Sequence, residues 1–123
     1  NLSLEPASIM VRADRAEMRQ IMLNLIINAL DAVMNTERRE ISIRLQAKKH
    51  EVSLTVSDTG VGMDEFTKNN IYTPFFSKKQ GGTGLGLAVV RRIVEEYGGE
   101  IDCRTQPGEG TTFVVTLKGI LVQ

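Results

Sequence analysis

A glycine-rich run, Gly81-Gly82-Thr83-Gly84-Leu85-Gly86-Leu87, opens a helical pattern after a loop rather than after a strand. That placement narrows the folds open to the chain. A P-loop needs Gly-x-x-x-x-Gly-Lys-Ser/Thr, and no lysine follows here. A dinucleotide fingerprint needs a strand immediately before it, and residues Ile71 to Gly82, which hold Pro74, Lys78, Lys79 and two glycines, show no strand period. Backbone N–H groups at a helix start still form an anion site. Thr83 and the abrupt helix beyond it distinguish the run from a plain flexible hinge.

The remaining segments read as an alternation of helices and strands. Asn1 to Ser8 is a lead-in and Ile9 to Ala13 a short strand. Asp14 with Glu17 three residues on forms a capping-box signature for a helix from Arg15 to about Met34. On that helix Met18, Ile21, Met22, Leu25, Ala29 and Ala32 mark one buried face, and Leu23, Ile27 and Leu30 add apolar groups on the far side. The helix is therefore expected to be mostly buried, with one polar line through Glu17, Gln20, Asn24, Asn28, Asp31 and Asn35. Alternation at Ile41 to Ala47 and Val52 to Val56, joined through Lys48-Lys49-His50-Glu51, predicts a hairpin. A short helix is expected from Asp64 to about Asn70, and a longer one from Thr83 or Gly84 to Tyr97, ended by Gly98-Gly99. Glu100 to Thr105 and Thr111 to Leu117 form a last strand pair around Pro107-Gly108-Glu109-Gly110. About three helices on one face of a mixed sheet of about five strands bury these stripes, which gives a two-layer α/β sandwich.

The 123 residues fit one domain, 1–123. Fifteen basic and fifteen acidic residues cancel, so the basic excess of a nucleic-acid module is absent. Cys103 is the single cysteine, which excludes an internal disulfide and any cysteine-based zinc site; it reads as a small core residue. With no apolar run near ~20 residues and no leader at the start, a cytoplasmic setting is expected. His50, the one histidine, reads as a turn residue.

Several residue groups are candidates for chemistry. Asn24 and Asn28 stand i, i+4, so their amides lie side by side. They either pair inside the core or supply oxygen ligands to Mg²⁺ and amide donors to phosphate. Asp58, in Asp58-Thr59-Gly60-Val61-Gly62, is a turn former or a buried acceptor for an exocyclic amine such as N6 of adenine. A guanine would leave such a carboxylate opposed and unpaired, which is costly. Lys78 and Lys79 are surface lysines or reach a terminal phosphate. Phe75-Phe76 is a hydrophobic latch or a satellite core contact, and the threonines of Gly108-Glu109-Gly110-Thr111-Thr112 could bridge to the Asp58 region.

Taken in this order, the motifs resemble the ATP-binding catalytic domain of sensor histidine kinases, within the gyrase, heat-shock chaperone, histidine kinase and mismatch-repair ATPase superfamily. The N box is similar to Asn24-Leu25-Ile26-Ile27-Asn28-Ala29-Leu30-Asp31-Ala32, and the G1 box to Asp58-Thr59-Gly60-Val61-Gly62-Met63. The F box is similar to Thr73-Pro74-Phe75-Phe76-Ser77-Lys78-Lys79, the G2 box to Gly82-Thr83-Gly84-Leu85-Gly86-Leu87, and a Gly108-x-Gly110-Thr111 box closes the series. The resemblance runs from about Ile9 to Leu117 and implies a Bergerat-type fold with an ATP lid at about 71–83.

It further implies that Asp58 reads adenine and that Asn28 helps hold Mg²⁺ beside Asn24. Residues Gly82, Thr83, Gly84, Leu85, Gly86 and Leu87 would wrap the phosphates, and Lys79 would approach the γ-phosphate. Asp31, Ala32, Gly60, Gly62, Met63 and Thr111 would complete the nucleotide site, with Thr112 taking the place of Thr111 if the register shifts. The implied activity is transfer of the γ-phosphoryl group of Mg-ATP to a histidine on a separate dimerisation and phosphoacceptor domain, which signals onward to a response regulator. His50 lies in a hairpin, not on a long amphipathic helix, so the acceptor is expected outside this chain, which then reads as a monomeric fragment of a larger parent, soluble or membrane-anchored.

Departures from the family pattern are informative. Asp31-Ala32 stands where many members have Lys-Tyr, which fits the subgroup of nitrogen-regulation and dicarboxylate-sensor type kinases, and Lys118 replaces the usual proline after the last strand. In the ATP-hydrolysing branch a glutamate occupies the position of Asn24. A neutral amide takes no proton from water, so fast autonomous hydrolysis is disfavoured. Other readings of the same resemblance are a protein-serine kinase of the anti-sigma type and a nucleotide-binding module without kinase activity.

Overall fold

The computed structural model describes residues 2–4, 9–10, 15–48, 50–76, 86–118 and 120–121. The elements in chain order are β1 (Leu2–Leu4), β2 (Ile9–Met10), α1 (Arg15–Val33), β3 (Ile41–Lys48), β4 (Glu51–Asp58), α2 (Glu65–Asn70), α3 (Gly86–Glu96), β5 (Glu100–Gln106), β6 (Gly110–Lys118) and β7 (Ile120–Leu121).

Five strands form one mixed sheet in the order β1-β3-β4-β6-β5. Only β1 runs parallel to its neighbour; the β3, β4, β6 and β5 pairings are antiparallel. The expected mixed sheet of about five strands is therefore present, but its membership differs. The lead-in supplies β1, whose three residues are too few to show alternation. Of the expected strand at 9–13, Ile9–Met10 is a strand joined to β7 in a separate antiparallel ribbon, and residues 11–13 lie outside the described residues.

Strand register sorts the side chains into rows. Residues opposed across antiparallel strands share a face. On one face Leu45, Leu54, Val115 and Ile101 form a row, and Ile43, Val56, Phe113 and Cys103 form the next. Helices α1 and α3 pack on this face through Ile21, Leu25 and Ala29 and through Val90, Ile93 and Val94, giving one core. The opposite face carries Ser57, Thr55 and Ser53 of β4 beside Thr112, Val114 and Thr116 of β6, a mostly polar surface. Helix α2 is capped by Asp64, whose Oδ1 accepts from the Thr67 N–H at 2.8 Å, and it buries no residue fully. The Tyr97 hydroxyl donates to Glu17 Oε1 at 2.6 Å, tying the end of α3 to the start of α1.

Helix α1 is less buried than its composition suggests. Leu23, Ile27 and Leu30 are 50%, 49% and 51% exposed, Met34 just beyond the helix is 59% exposed, and Met22, expected inside, is 42% exposed. The reason is geometric: a helix lying on a two-layer fold offers one flank to the sheet, and Ile21, Leu25, Ala29 and Val33 take it. The expected N-cap Asp14 and the start of the second long helix at Thr83 or Gly84 lie outside the described residues.

Candidate functional site

The apolar rows of the sheet end in a polar one. Above Ile43, Val56, Phe113 and Cys103, the next row is Ile41, Asp58, Thr111 and Thr105. Because the side-chain period of a strand is two, Asp58 and Thr111 are held on the same face as the core and are themselves buried, at 8% and 7% exposure. A carboxylate is thereby placed at the edge of an apolar interior, at the end of β4.

Asp58 is compensated by backbone donors. The Gly60 N–H donates to Oδ1 at 2.8 Å and the Thr111 N–H donates to the same oxygen at 3.2 Å. Neither bond falls on Oδ2. Burial pushes the Asp58 carboxyl above its ordinary value of 3.8, against the lowering effect of the Gly60 and Thr111 donors. Among the described residues Oδ2 has no donor, and an acceptor with one oxygen fixed and one open suits an amino group brought by a ligand.

The loop after Asp58 is clamped on both sides. Val61 N–H donates to the Ala32 carbonyl near the end of α1 at 3.1 Å, and the Val61 carbonyl accepts from Gly108 N–H in the β5–β6 turn at 2.7 Å. Thr59 Oγ1 accepts from Glu40 N–H at 3.0 Å and donates to the Arg38 carbonyl at 2.8 Å, pinning the segment between α1 and β3. Gly60 lies so close to α1 that a Cβ there would meet the Ala32 backbone carbonyl. Its glycine serves the contact between loop and helix. Met63 N–H donates to Thr105 Oγ1 at 2.9 Å, which fixes the end of the motif that also contains Gly62.

Helix α1 forms a second wall. Asn24 and Asn28 are both half-buried and one turn apart on the same flank. The Asn24 Nδ2 donates to the Gln20 carbonyl at 2.9 Å. This bond aims Asn24 Oδ1 at the start of α3, where a Cβ on Gly86 would stand 2.9 Å from it. Asn28 thus sits between the start of α3 on one side and the Gly60–Ala32 contact on the other. Asp31 is exposed, Ala32 half-buried under Gly60, and Leu87 packs against the core.

The structure therefore gathers Ala32, Asp58, Gly60, Met63 and Thr111 at the Asp58 end of the sheet, and sets Asn24 against Gly86 further along α1, with Asn28 one turn on. Thr111 and Thr112 separate cleanly: Thr111 lies beside Asp58, whereas Thr112 faces the other way and shares a 2.7 Å hydrogen bond with Ser57 Oγ. Lys78, Lys79, Gly82, Thr83, Gly84 and Leu85 lie outside the described residues. Of the phenylalanine pair, Phe76 meets Phe66 edge to face at 6.0 Å between ring centroids. Phe75 is 77% exposed with a left-handed φ of 69°, a costly conformation for a bulky residue. His50 is exposed at the β3–β4 turn. Thr105 is the residue that sequence reasoning missed. Its only trace is its place in the last hairpin, directly opposite Thr111.

The chain is similar to several known proteins. The chain is 38% identical over 117 residues to the C4-dicarboxylate transport sensor protein DctB of Rhizobium meliloti strain 1021, covering 95% of the chain and 19% of that protein. It is 40% identical over 113 residues to the sensor histidine kinase ZraS of Klebsiella oxytoca, covering 92% of the chain and 24% of that protein. The chain thus spans between 19% and 24% of the length of these curated relatives. Among solved structures, the catalytic domain of histidine kinase ThkA superposes with a TM-score of 0.82 at 31% identity, over 97% of this chain and 78% of that one. Full-length ShkA in complex with AMPPNP gives a TM-score of 0.80 at 28% identity, over 98% of this chain and 25% of that one. The shared pattern of the histidine kinase-, DNA gyrase B-, and HSP90-like ATPases matches residues 13–119, and the chain belongs to that family.

Proposed function

We propose that the chain is the ATP-binding catalytic domain of a two-component sensor histidine kinase. It binds Mg-ATP and presents the γ-phosphoryl group for in-line transfer to a histidine on the dimerisation and phosphoacceptor domain of its parent protein. ADP is the leaving group, and the phosphoryl group passes on to a response regulator. The observation that carries this reading is the buried Asp58 carboxylate, fixed at Oδ1 by Gly60 and Thr111, in a loop that packs on α1 at Ala32.

The division of labour follows from the residues. Asp58 receives the amino edge of the base, and the clamped loop from Thr59 to Met63 lies beside it. Asn24 and Asn28 face the polyphosphate. Among the described residues no cluster of histidine, cysteine or carboxylate side chains could hold a metal ion. Mg²⁺ fits this site as an ion that enters with the nucleotide, with the phosphates as principal ligands and the Asn28 amide oxygen as the protein's contribution. Bound there, it neutralises phosphate charge. Lys79 and residues Gly82 to Leu87 are proposed to hold the γ-phosphate and the chain of phosphates. Catalysis then rests on positioning and charge stabilisation. Asn24 supplies no base for water, which protects ATP until an acceptor docks.

The test pairs binding with transfer. Titration with ATP, GTP and ADP, with and without Mg²⁺, is expected to show adenine nucleotides bound and GTP rejected. Incubation with labelled Mg-ATP and an added histidine domain of a related kinase is expected to label that domain. GTP binding as tight as ATP, or an unlabelled acceptor at saturating Mg-ATP, overturns the proposal.

A further inference from the structure

We infer that Thr105 is a positioning residue that sets the hydrogen-bond polarity of the base-reading end of the cleft, so that the site offers acceptors only. The inference rests on the adenine reading of Asp58 given above and names what makes it selective.

The protons available around Thr105 fix this polarity. Thr105 Oγ1 has three polar neighbours: Met63 N at 2.9 Å, the Gly110 carbonyl oxygen at 3.1 Å and Thr111 Oγ1 at 2.9 Å. A hydroxyl carries one proton and two lone pairs. Met63 N–H can only donate, so it takes one lone pair. The Gly110 carbonyl can only accept, so it takes the proton. The remaining lone pair must receive a hydrogen, and Thr111 O–H is the group in reach. All three contacts are then satisfied at once, and the Thr111 proton is committed to Thr105. Thr111 Oγ1 presents lone pairs alone.

Thr111 stands directly opposite Asp58 on the neighbouring strand, on the same face. The ionised Asp58 carboxylate is also acceptor-only. Two adjacent acceptors match a primary amine, which brings two N–H donors. They oppose a keto group, which would face lone pairs without a hydrogen between them. With the Thr111 proton free, that hydroxyl could turn and donate to a keto oxygen, and selectivity would weaken. Thr105 therefore acts on the base through Thr111, without touching it.

The experiment compares ATP with inosine triphosphate, its 6-keto counterpart, by direct binding to the 123-residue chain. The wild type is expected to favour ATP. Thr105→Val, nearly isosteric, removes the proton trap and is expected to lower the ratio of the two dissociation constants by about tenfold, the scale of one unpaired buried polar contact. Thr105→Ser retains the hydroxyl and is expected to retain the ratio. A residue of purely structural importance would weaken both ligands in parallel and leave the ratio unchanged, and that result in Thr105→Val overturns the inference. Thr111→Val provides the second measurement should Thr105→Val fail to fold. It removes the acceptor itself and is expected to lower the ratio, with the double variant no worse than Thr111→Val alone; an unchanged ratio in Thr111→Val overturns the inference equally. Failure of the underlying reading looks different: the wild type would bind both triphosphates alike, or Asp58→Asn would leave ATP affinity intact.

Discussion

At the scale of single residues, the site depends on a carboxylate that the fold makes costly to ionise. Burial raises the Asp58 pKa from its ordinary 3.8, and two backbone donors offset only part of that cost. The consequence for stability has a definite sign. Below about pH 3.8 the group is neutral in both folded and unfolded chains and carries no penalty. As pH rises through the window between 3.8 and the raised folded value, the unfolded chain gives up its proton first, and the folded state loses stability relative to it. Above that window the penalty is constant. Asp58→Asn removes the titration while keeping an acceptor for Gly60 and Thr111. The unfolding free energy of Asp58→Asn minus that of the wild type is therefore expected to be flat at low pH, to rise across the window and to level off. Denaturant titrations from pH 3 to 7 measure it, and a difference that falls with pH would contradict the assignment. Asp58, Gly60 and Gly62 were legible in the sequence because an aspartate ending an alternating segment before Gly-x-Gly is a local pattern. Thr105 was not, because its role exists only once β5 pairs with β6 and sets it opposite Thr111.

At the scale of elements, α1 separates what periodicity can show from what it cannot. The residues of its sheet-facing flank were readable at helical spacing, but so was an apolar set on the far side, and only the layer count of the fold decides which set is covered. Leu25, fully buried, and Ile27, 49% exposed, are two residues apart on opposite flanks. Leu25→Ala is expected to cost about 2–5 kcal/mol and Ile27→Ala about 1 kcal/mol or less; equal losses in chemical denaturation would place α1 wrongly on the sheet. The glycines at the two ends of this helix's polar flank differ in the same way. A methyl at Gly60 meets the immovable Ala32 backbone, so Gly60→Ala is expected to destabilise the fold by about 1–3 kcal/mol. Among the described residues the nearest atoms to a methyl at Gly86 are those of the Asn24 side chain, Oδ1 first at 2.9 Å. Gly86→Ala is expected to leave the melting temperature within a few degrees and to weaken ATP binding by turning the Asn24 amide; unchanged affinity would remove that amide from the nucleotide's path.

At the scale of the whole molecule, the sheet, two covering helices and one clamped loop converge on a single end, and binding there must report on folding. The two-layer plan was legible because four alternating segments and three helical ones, two of them long, have few other ways to bury their stripes. The edge strand β1 and the ribbon of β2 with β7 were not, since two- and three-residue strands carry no period and join partners far away in the chain. A ligand at one hundred times its dissociation constant stabilises the fold by about 2.7 kcal/mol, so saturating Mg-ATP is expected to raise the melting temperature clearly and Mg-GTP to leave it nearly unchanged. Stabilisation need not entail turnover. Asn24 is anchored to the Gln20 carbonyl and faces α3; on the proposed reading it stands where the hydrolysing branch of the superfamily keeps a glutamate. An amide has no basic site for a water proton, and an intact triphosphate is what a phosphotransfer domain must hold between encounters with its acceptor. The isolated chain under saturating Mg-ATP is thus expected to combine a raised melting temperature with phosphate release near background. Continuous release at a steady rate, abolished by Asp58→Asn, would show that a base other than the residue at position 24 activates water.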